Sequence, residues 1–194
     1  MKLLFGTNNL NKLREIREIL GSQFTVLSLA DLGVEADVEE TETTLEGNAL
    51  LKARYYAQFA PDALCFADDS GLEADALGGA PGVYSARYAG PGCTSADNIA
   101  KLLSELHGAA SRRAAFRAVI AWHGLGREGM VEGRVGGTLL YAPRGSGGFG
   151  YDPLFVPDGY TETFAEMAPE LKHQLSHRGQ AVQAFAARLR GGTF

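Results

Sequence analysis

Asp68 and Asp69 stand side by side at the end of the apolar run Ala63-Leu64-Cys65-Phe66-Ala67 and are followed by Ser70 and Gly71. A carboxylate at the edge of a core is costly unless it is paired, hydrogen-bonded or bound to a metal. The pair therefore needs compensation. Neighbouring side chains on a strand point to opposite faces, so if strand geometry persists the two aspartates cannot do the same work. Asp-Asp-Ser-Gly is equally a favourable turn sequence, and the strand is expected to stop at about residue 67.

Four other stretches offer chemistry. Thr7-Asn8-Asn9-Leu10-Asn11-Lys12 joins an apolar run to a helical pattern. Its helix-start N–H groups, its hydroxyl and amide side chains and its lysine would suit a phosphate, while an asparagine-rich helix cap uses the same letters. It lacks the GxxxxGK[ST] pattern of a P-loop. Glu39, Glu40, Glu42 and Glu46 are hard oxygen donors of the kind Mg²⁺ takes one or two at a time; a solvated face with a helix cap reads the same. In Gly145-Ser146-Gly147-Gly148-Phe149-Gly150-Tyr151-Asp152-Pro153, glycines let backbone approach a ligand and the aromatics could stack on a base, although a tight turn with core aromatics fits too. Ser176-His177-Arg178-Gly179, with Lys172 upstream, puts cations at a helix N-terminus, where they are disfavoured. Either a bound anion or an internal carboxylate would relieve that conflict.

The elements that must position these residues follow from periodicity. A strand is expected over 2–5. A helix follows over 10–20, with Leu10, Leu13, Ile16 and Leu20 on one face. Thr43 and Glu46 fit a capping box that opens a helix running to about Phe59. Further expectations are a helix over 98–106, a strand over 114–123 with Phe116, Ile120 and Trp122 inward, strands near 129–135 and 138–142, and a last helix over 177–190 carrying Val182, Phe185, Ala186 and Leu189 on one stripe. Helices and strands interleave, which implies an α/β or mixed fold.

A chain of 194 residues suits one domain with a sizeable core. Its net charge of −5 argues against binding nucleic acid through a basic face, so a polyanionic ligand would need local positive charge or a cation. Cys65 and Cys93 are too few for a disulfide framework and are read as reduced. The apolar part of Met1-Lys2-Leu3-Leu4-Phe5 is too short for a signal core or a membrane span, so a cytoplasmic protein is expected.

Taken together, Thr7-x-Asn9-x-x-Lys12, the 40–48 region, Ala67-Asp68-Asp69-Ser70-Gly71-Leu72, Gly78 to Tyr88, Gly148 to Pro153 and Ser176 to Gly179 resemble, in order and over nearly the whole chain, the inosine triphosphate pyrophosphatase family, also called Ham1-like proteins. The resemblance implies a single domain over residues 1–194 that uses Mg²⁺ to hydrolyse inosine, deoxyinosine and xanthosine triphosphates to monophosphate and pyrophosphate. It implies a long central mixed β-sheet flanked by helices, two lobes with a substrate cleft between them, and a homodimer. It places nucleotide contacts on Thr7, Asn8, Asn9, Leu10, Asn11, Lys12, Ser70, Phe149, Gly150, Tyr151, Asp152, Lys172, His177 and Arg178. Metal ligands fall on Glu40 and Asp69, with Asp69 also the proton acceptor, while Asp68 supports the turn or the metal's outer shell. A general nucleotide phosphatase, or a nucleotide sensor without turnover, remains the alternative reading of the residues themselves. A Nudix hydrolase is disfavoured because the glycine and second glutamate pair of that box are missing around Arg14-Glu15-Ile16.

Overall fold

The computed structural model describes residues 1–192. Strands β1 (Lys2–Phe5), β2 (Thr25–Ser28), β3 (Leu64–Ala74), β4 (Arg113–Gly124), β5 (Arg127–Leu139) and β6 (Phe155–Pro157) are joined by helices α1 (Leu10–Leu20), α2 (Leu45–Ala57) and α3 (Ser95–Glu105) as far as β4, and helices α4 (Pro169–Leu175) and α5 (His177–Gly191) follow β6. The six strands form one sheet in the order β2-β1-β3-β4-β5-β6. It is mixed: β1 is parallel to β2 and to β3, and β5 is antiparallel to β6. Leu125 (φ 54°) and Gly126 (φ 72°) both take the left-handed backbone that a two-residue hairpin turn requires between β4 and β5.

Two compact units share the chain. One comprises residues 1–69, 118–133 and 178–194, the other 70–117 and 134–177, so the boundary falls inside β3, β4 and β5. In the first unit, strand alternation sorts the core into two layers. Leu3, Phe5, Leu64 and Phe66 point to one face and pack with Leu13, Ile16 and Leu20 of α1 and with Val182, Phe185, Ala186 and Leu189 of α5. Leu4 and Cys65 point to the other and pack with Leu29 and with Tyr56 of α2. Each fully buried side chain of this size contributes roughly 1.5–3 kcal/mol. The second unit has its own core, in which Phe116, Leu154, Phe155 and Phe164 meet Leu102 and Leu106.

The opening strand, α1, β4 and α5 lie where periodicity puts them, and four expectations are corrected. Strand β3 does not stop at residue 67 but runs unbroken through Asp68, Asp69, Ser70 and Gly71 to Ala74. The cap of α2 is Thr44, which accepts the Gly47 N–H at 3.0 Å, rather than Thr43. The strands expected near 129–135 and 138–142 are one thirteen-residue strand. Leu10, expected inward, is 76% exposed because it opens α1 ahead of the first turn that meets the sheet. Among the described residues no helix is long and apolar enough to cross a membrane.

Gly71 lets the far half of β3 meet its neighbour. A Cβ there would lie 2.2 Å from the Gly82 carbonyl oxygen, and the adjacent Leu72 N–H donates to Ser85 Oγ at 2.9 Å. Backbone on both sides cannot yield cheaply. Gly71→Ala is expected to destabilise the protein by about 2–3 kcal/mol, in the range of overpacked sites, read as a lower urea midpoint; an unchanged midpoint would show that the 82–85 turn gives way.

Candidate active site

β1 leads through α1 to β2 on one side, whereas β2 leads through α2 to β3 on the other side of β1. Connections that leave neighbouring strands in opposite directions open a crevice at the strands' carboxyl ends, the usual ligand position in such sheets. Phe5 lies level with Phe66, and the Gly6 N–H donates to the Phe66 carbonyl at 2.8 Å. Asp68 and Asp69 therefore extend past the end of β1, beside the turn that carries Thr7 to Lys12.

Because β3 stays extended, the alternation that sorts its apolar residues also sorts its two acids. Asp68 falls on the face of Leu64 and Phe66, toward α1 and α5. Its carboxylate lies 3.1 Å from Lys12 Nζ and accepts Arg178 Nε at 3.2 Å; Arg178 also donates to Glu15 at 2.5 Å. Asp69 falls on the opposite face, that of Cys65, toward α2. It accepts Lys52 Nζ at 3.1 Å and Asn48 Nδ2 at 3.4 Å, and the same Lys52 ammonium donates to Glu40 at 2.7 Å.

Burial opposes ionisation of both acids, and their partners decide the outcome differently. At Asp68, 2% exposed, Lys12 and Arg178 outweigh desolvation and hold the carboxyl well below the usual range. At Asp69, 6% exposed, desolvation prevails over the attraction of Lys52 and Lys12, and nearby Glu40 adds to it, so its pKa rises. Burial also lowers the pKa of Lys12, although Asp68 opposes the shift. Burial would lower that of Lys52, but Asp69, Asp68 and Glu40 raise it overall. Two neighbouring carboxyls pushed apart in this way are suited to different tasks, one a fixed anion and the other a proton acceptor.

The turn before α1 is largely satisfied from within. Asn9 Oδ1 accepts the N–H groups of Asn11 and Lys12 at 3.0 and 3.2 Å, and Thr7 Oγ1 accepts the Asn9 N–H at 3.1 Å. Asn8 donates to the Ala36 carbonyl and to Asp37, which ties the turn to the segment that carries Glu40. Leu10 and Asn11 are exposed.

In the second unit, Asp152 is buried, accepts the Phe149 N–H at 2.8 Å and is paired with Lys172 Nζ at 2.8 Å. The Lys172 ammonium stands 5.3 Å from the Phe149 ring centroid. The Tyr151 ring is buried, and its hydroxyl donates to the Ser85 carbonyl at 2.9 Å; burial raises its pKa. His177 is buried and stacks on Phe116, with centroids 4.6 Å apart and planes 9° from parallel. Gly150 lies in the same turn at φ 62°, and Ser70 is half-buried on β3.

The first unit thus brings Lys12 and Arg178 to Asp68 and sets Glu40 and Asp69 on Lys52, and the second joins Phe149, Asp152 and Lys172, with Tyr151 held at Ser85 and His177 on Phe116. Sequence reasoning missed Lys52, Asn48 and Glu15. Asn48 and Lys52 are one turn apart on α2, on the stripe that buries Leu45, Ala49, Ala53 and Tyr56. A polar pair at spacing four on an otherwise apolar stripe was the available signal.

Known proteins match this chain along its length. The sequence model of the Ham1 family matches residues 3–188. A dITP/XTP pyrophosphatase of Flavobacterium johnsoniae is 47% identical over 184 residues, covering 94% of this chain and 95% of that protein. One from Porphyromonas gingivalis is 49% identical over 183 residues, covering 93% of each. The structure of the Staphylococcus aureus Ham1 protein superposes with a TM-score of 0.89 at 38% identity, over 100% of both chains. The chain belongs to the Ham1 family.

Proposed function

We propose that the chain is a single nucleoside triphosphate pyrophosphatase domain that hydrolyses inosine, deoxyinosine and xanthosine triphosphates to the monophosphate and pyrophosphate with Mg²⁺. The observation that carries the reading is the convergence of Glu40 and Asp69 on one cation position just past the carboxyl end of β1 and midway along β3, with Asp68 engaged separately by Lys12 and Arg178. The full-length likeness to proteins named dITP/XTP pyrophosphatases supports the substrate class.

Among the described residues no three His, Cys, Asp or Glu side chains cluster as a metal cage. Two carboxylates are nevertheless what Mg²⁺ commonly takes from a protein when water and phosphate oxygens complete its shell, so Glu40 and Asp69 fit it. When bound, the ion neutralises phosphate charge and polarises the attacking water. Asp69, with its raised pKa, accepts the proton as the water oxygen bonds to the α-phosphorus; the bond to the bridging oxygen breaks and pyrophosphate leaves. Lys12 and the turn Thr7, Asn8, Asn9, Leu10 and Asn11 serve the phosphates. Ser70, Phe149, Gly150, Tyr151, Asp152, Lys172, His177 and Arg178 serve the nucleoside, and donors to a 6-oxo group would reject adenine by roughly 10⁴-fold, because its amine leaves them unpaired. The same family reading carries cytoplasmic action as a homodimer, without nucleic-acid partners.

Three outcomes test this. With inosine triphosphate, orthophosphate is expected only when inorganic pyrophosphatase is added, only with Mg²⁺, and far less from adenosine triphosphate; direct orthophosphate release would indicate a phosphatase, and binding without release a sensor. Asp69→Asn is expected to lower kcat by at least about 10²- to 10⁴-fold, the share of a general base, with little change in melting temperature. Asp68→Asn is expected to show the opposite profile: measurable turnover, but a stability loss of about 3–5 kcal/mol, because the buried Lys12 ammonium loses its paired carboxylate and Arg178 keeps only Glu15. Equal activity and stability losses in the two variants would remove the division of labour.

A further inference from the structure

Lys52 Nζ lies 2.7 Å from Glu40 Oε1 and 3.1 Å from Asp69 Oδ1, with its side chain 11% exposed. It sits one turn beyond Asn48, whose amide holds the other Asp69 oxygen at 3.4 Å and whose oxygen accepts the Glu42 N–H at 3.0 Å. The aliphatic stem is thus fixed on a packed helix face while the ammonium is shared by the two carboxylates assigned to the metal. A divalent ion held by both acids, at about 2.0–2.1 Å from its oxygens, would stand on the same two carboxylates as the ammonium. Two cations on one pair of carboxylates, in a site from which water is largely excluded, repel each other the more strongly as the local dielectric falls.

We infer that Lys52 is an internal stand-in for the metal. In the nucleotide-free protein its ammonium holds Glu40 and Asp69 together and keeps a bare divalent ion out; when the ion arrives with a polyphosphate, the ammonium is displaced and takes the incoming phosphate oxygens as its new partner. The inference rests on the reading of Glu40 and Asp69 as metal ligands and adds an order of events to it. A metal ion alone must break two charge-assisted hydrogen bonds and leave an ammonium buried without its anions. A metal ion delivered with phosphate supplies replacement anions at the same moment. Metal and nucleotide binding are therefore coupled, and by linkage each favours the other. Lys12 does not share this function, because its ammonium pairs with Asp68 on the opposite face of β3.

The test is direct binding of Mn²⁺, as a paramagnetic substitute for Mg²⁺, to nucleotide-free protein near pH 7.5. Wild type is expected to bind weakly, Lys52→Met at least about tenfold more tightly because the competing charge is gone, and Lys52→Arg as weakly as wild type because the charge is kept. The melting temperature of Lys52→Met should rise with Mn²⁺ while that of wild type barely moves. Equal affinity in wild type and Lys52→Met, or equal tightening in the Met and Arg variants, would overturn the inference. Should Lys52→Met fail to fold, wild-type protein labelled with ¹⁵N-lysine decides: the Lys52 ammonium signal must shift when Mg²⁺ is added with a non-hydrolysable triphosphate, and far less with Mg²⁺ alone. A signal unmoved by the complex refutes the displacement. Wild-type hydrolysis that persists in excess chelator would instead refute the metal reading itself, whatever Lys52 does.

Discussion

Two carboxylates on consecutive residues of a buried strand are the constraint around which the first unit is arranged. Pleating sends Asp68 and Asp69 to opposite faces of the sheet, so no one cation pairs directly with both. Each face must supply its own: Lys12 from the start of α1 and Arg178 from the start of α5 on one side, Lys52 from α2 on the other. The helices that cover the apolar halves of β1 and β3 are thereby also fixed in register, since each must deliver a cation to the same point on β3. Ion pairs of this kind are weak sources of net stability, because desolvation cancels most of the attraction. What they provide is placement.

Placement is where the two acids diverge. Asp68 has two cations on its carboxylate and stays ionised, so it fixes the ends of α1 and α5 against β3. Asp69 shares one cation with Glu40 and has a neutral amide as its other partner, so burial keeps its pKa raised. A carboxyl held fully ionised by cations is a poor proton acceptor, and one left too apolar would bind no metal. Asp69 lies between these limits.

Much of the scaffold was legible in the sequence, because α1 and α5 bury one face and so print their period in the apolar residues, while β1 and β4 are buried on both faces and show as apolar runs. The errors have physical causes. Asp-Asp-Ser-Gly favours a turn when judged locally, yet β3 continues because ion pairs from both faces satisfy the acids and because Gly71 admits the Gly82 carbonyl. In β5, two strands were expected, near 129–135 and 138–142, on either side of Gly136-Gly137; a Cβ at Gly137 would lie 2.4 Å from the Val156 carbonyl oxygen, so the glycine marks the close approach of β6 within one strand. The acids and cations of the site were visible as residue types. Their pairing was not, because it joins residues from 12 to 178 through the packing of three helices. Lys52 was missed for that reason: a lysine on a helix is ordinarily solvated, and only the position of Asp69 makes this one internal.

The pairings also bear on how an acidic protein receives a polyanion. In the first unit, Lys12, Lys52 and Arg178 are each held by carboxylates from among Glu15, Glu40, Asp68 and Asp69, which leaves three cations facing four anions. In the second unit Lys172 is likewise paired with Asp152. The lysines and the arginine named for substrate binding are therefore already engaged with internal carboxylates, which fixes their geometry and keeps them from attracting phosphate indiscriminately. A triphosphate entering a cluster that is itself negative gains little until a further positive charge comes with it. On the reading of Glu40 and Asp69 as metal ligands, this arrangement of charges favours a divalent cation that arrives with the substrate over one held by the empty protein.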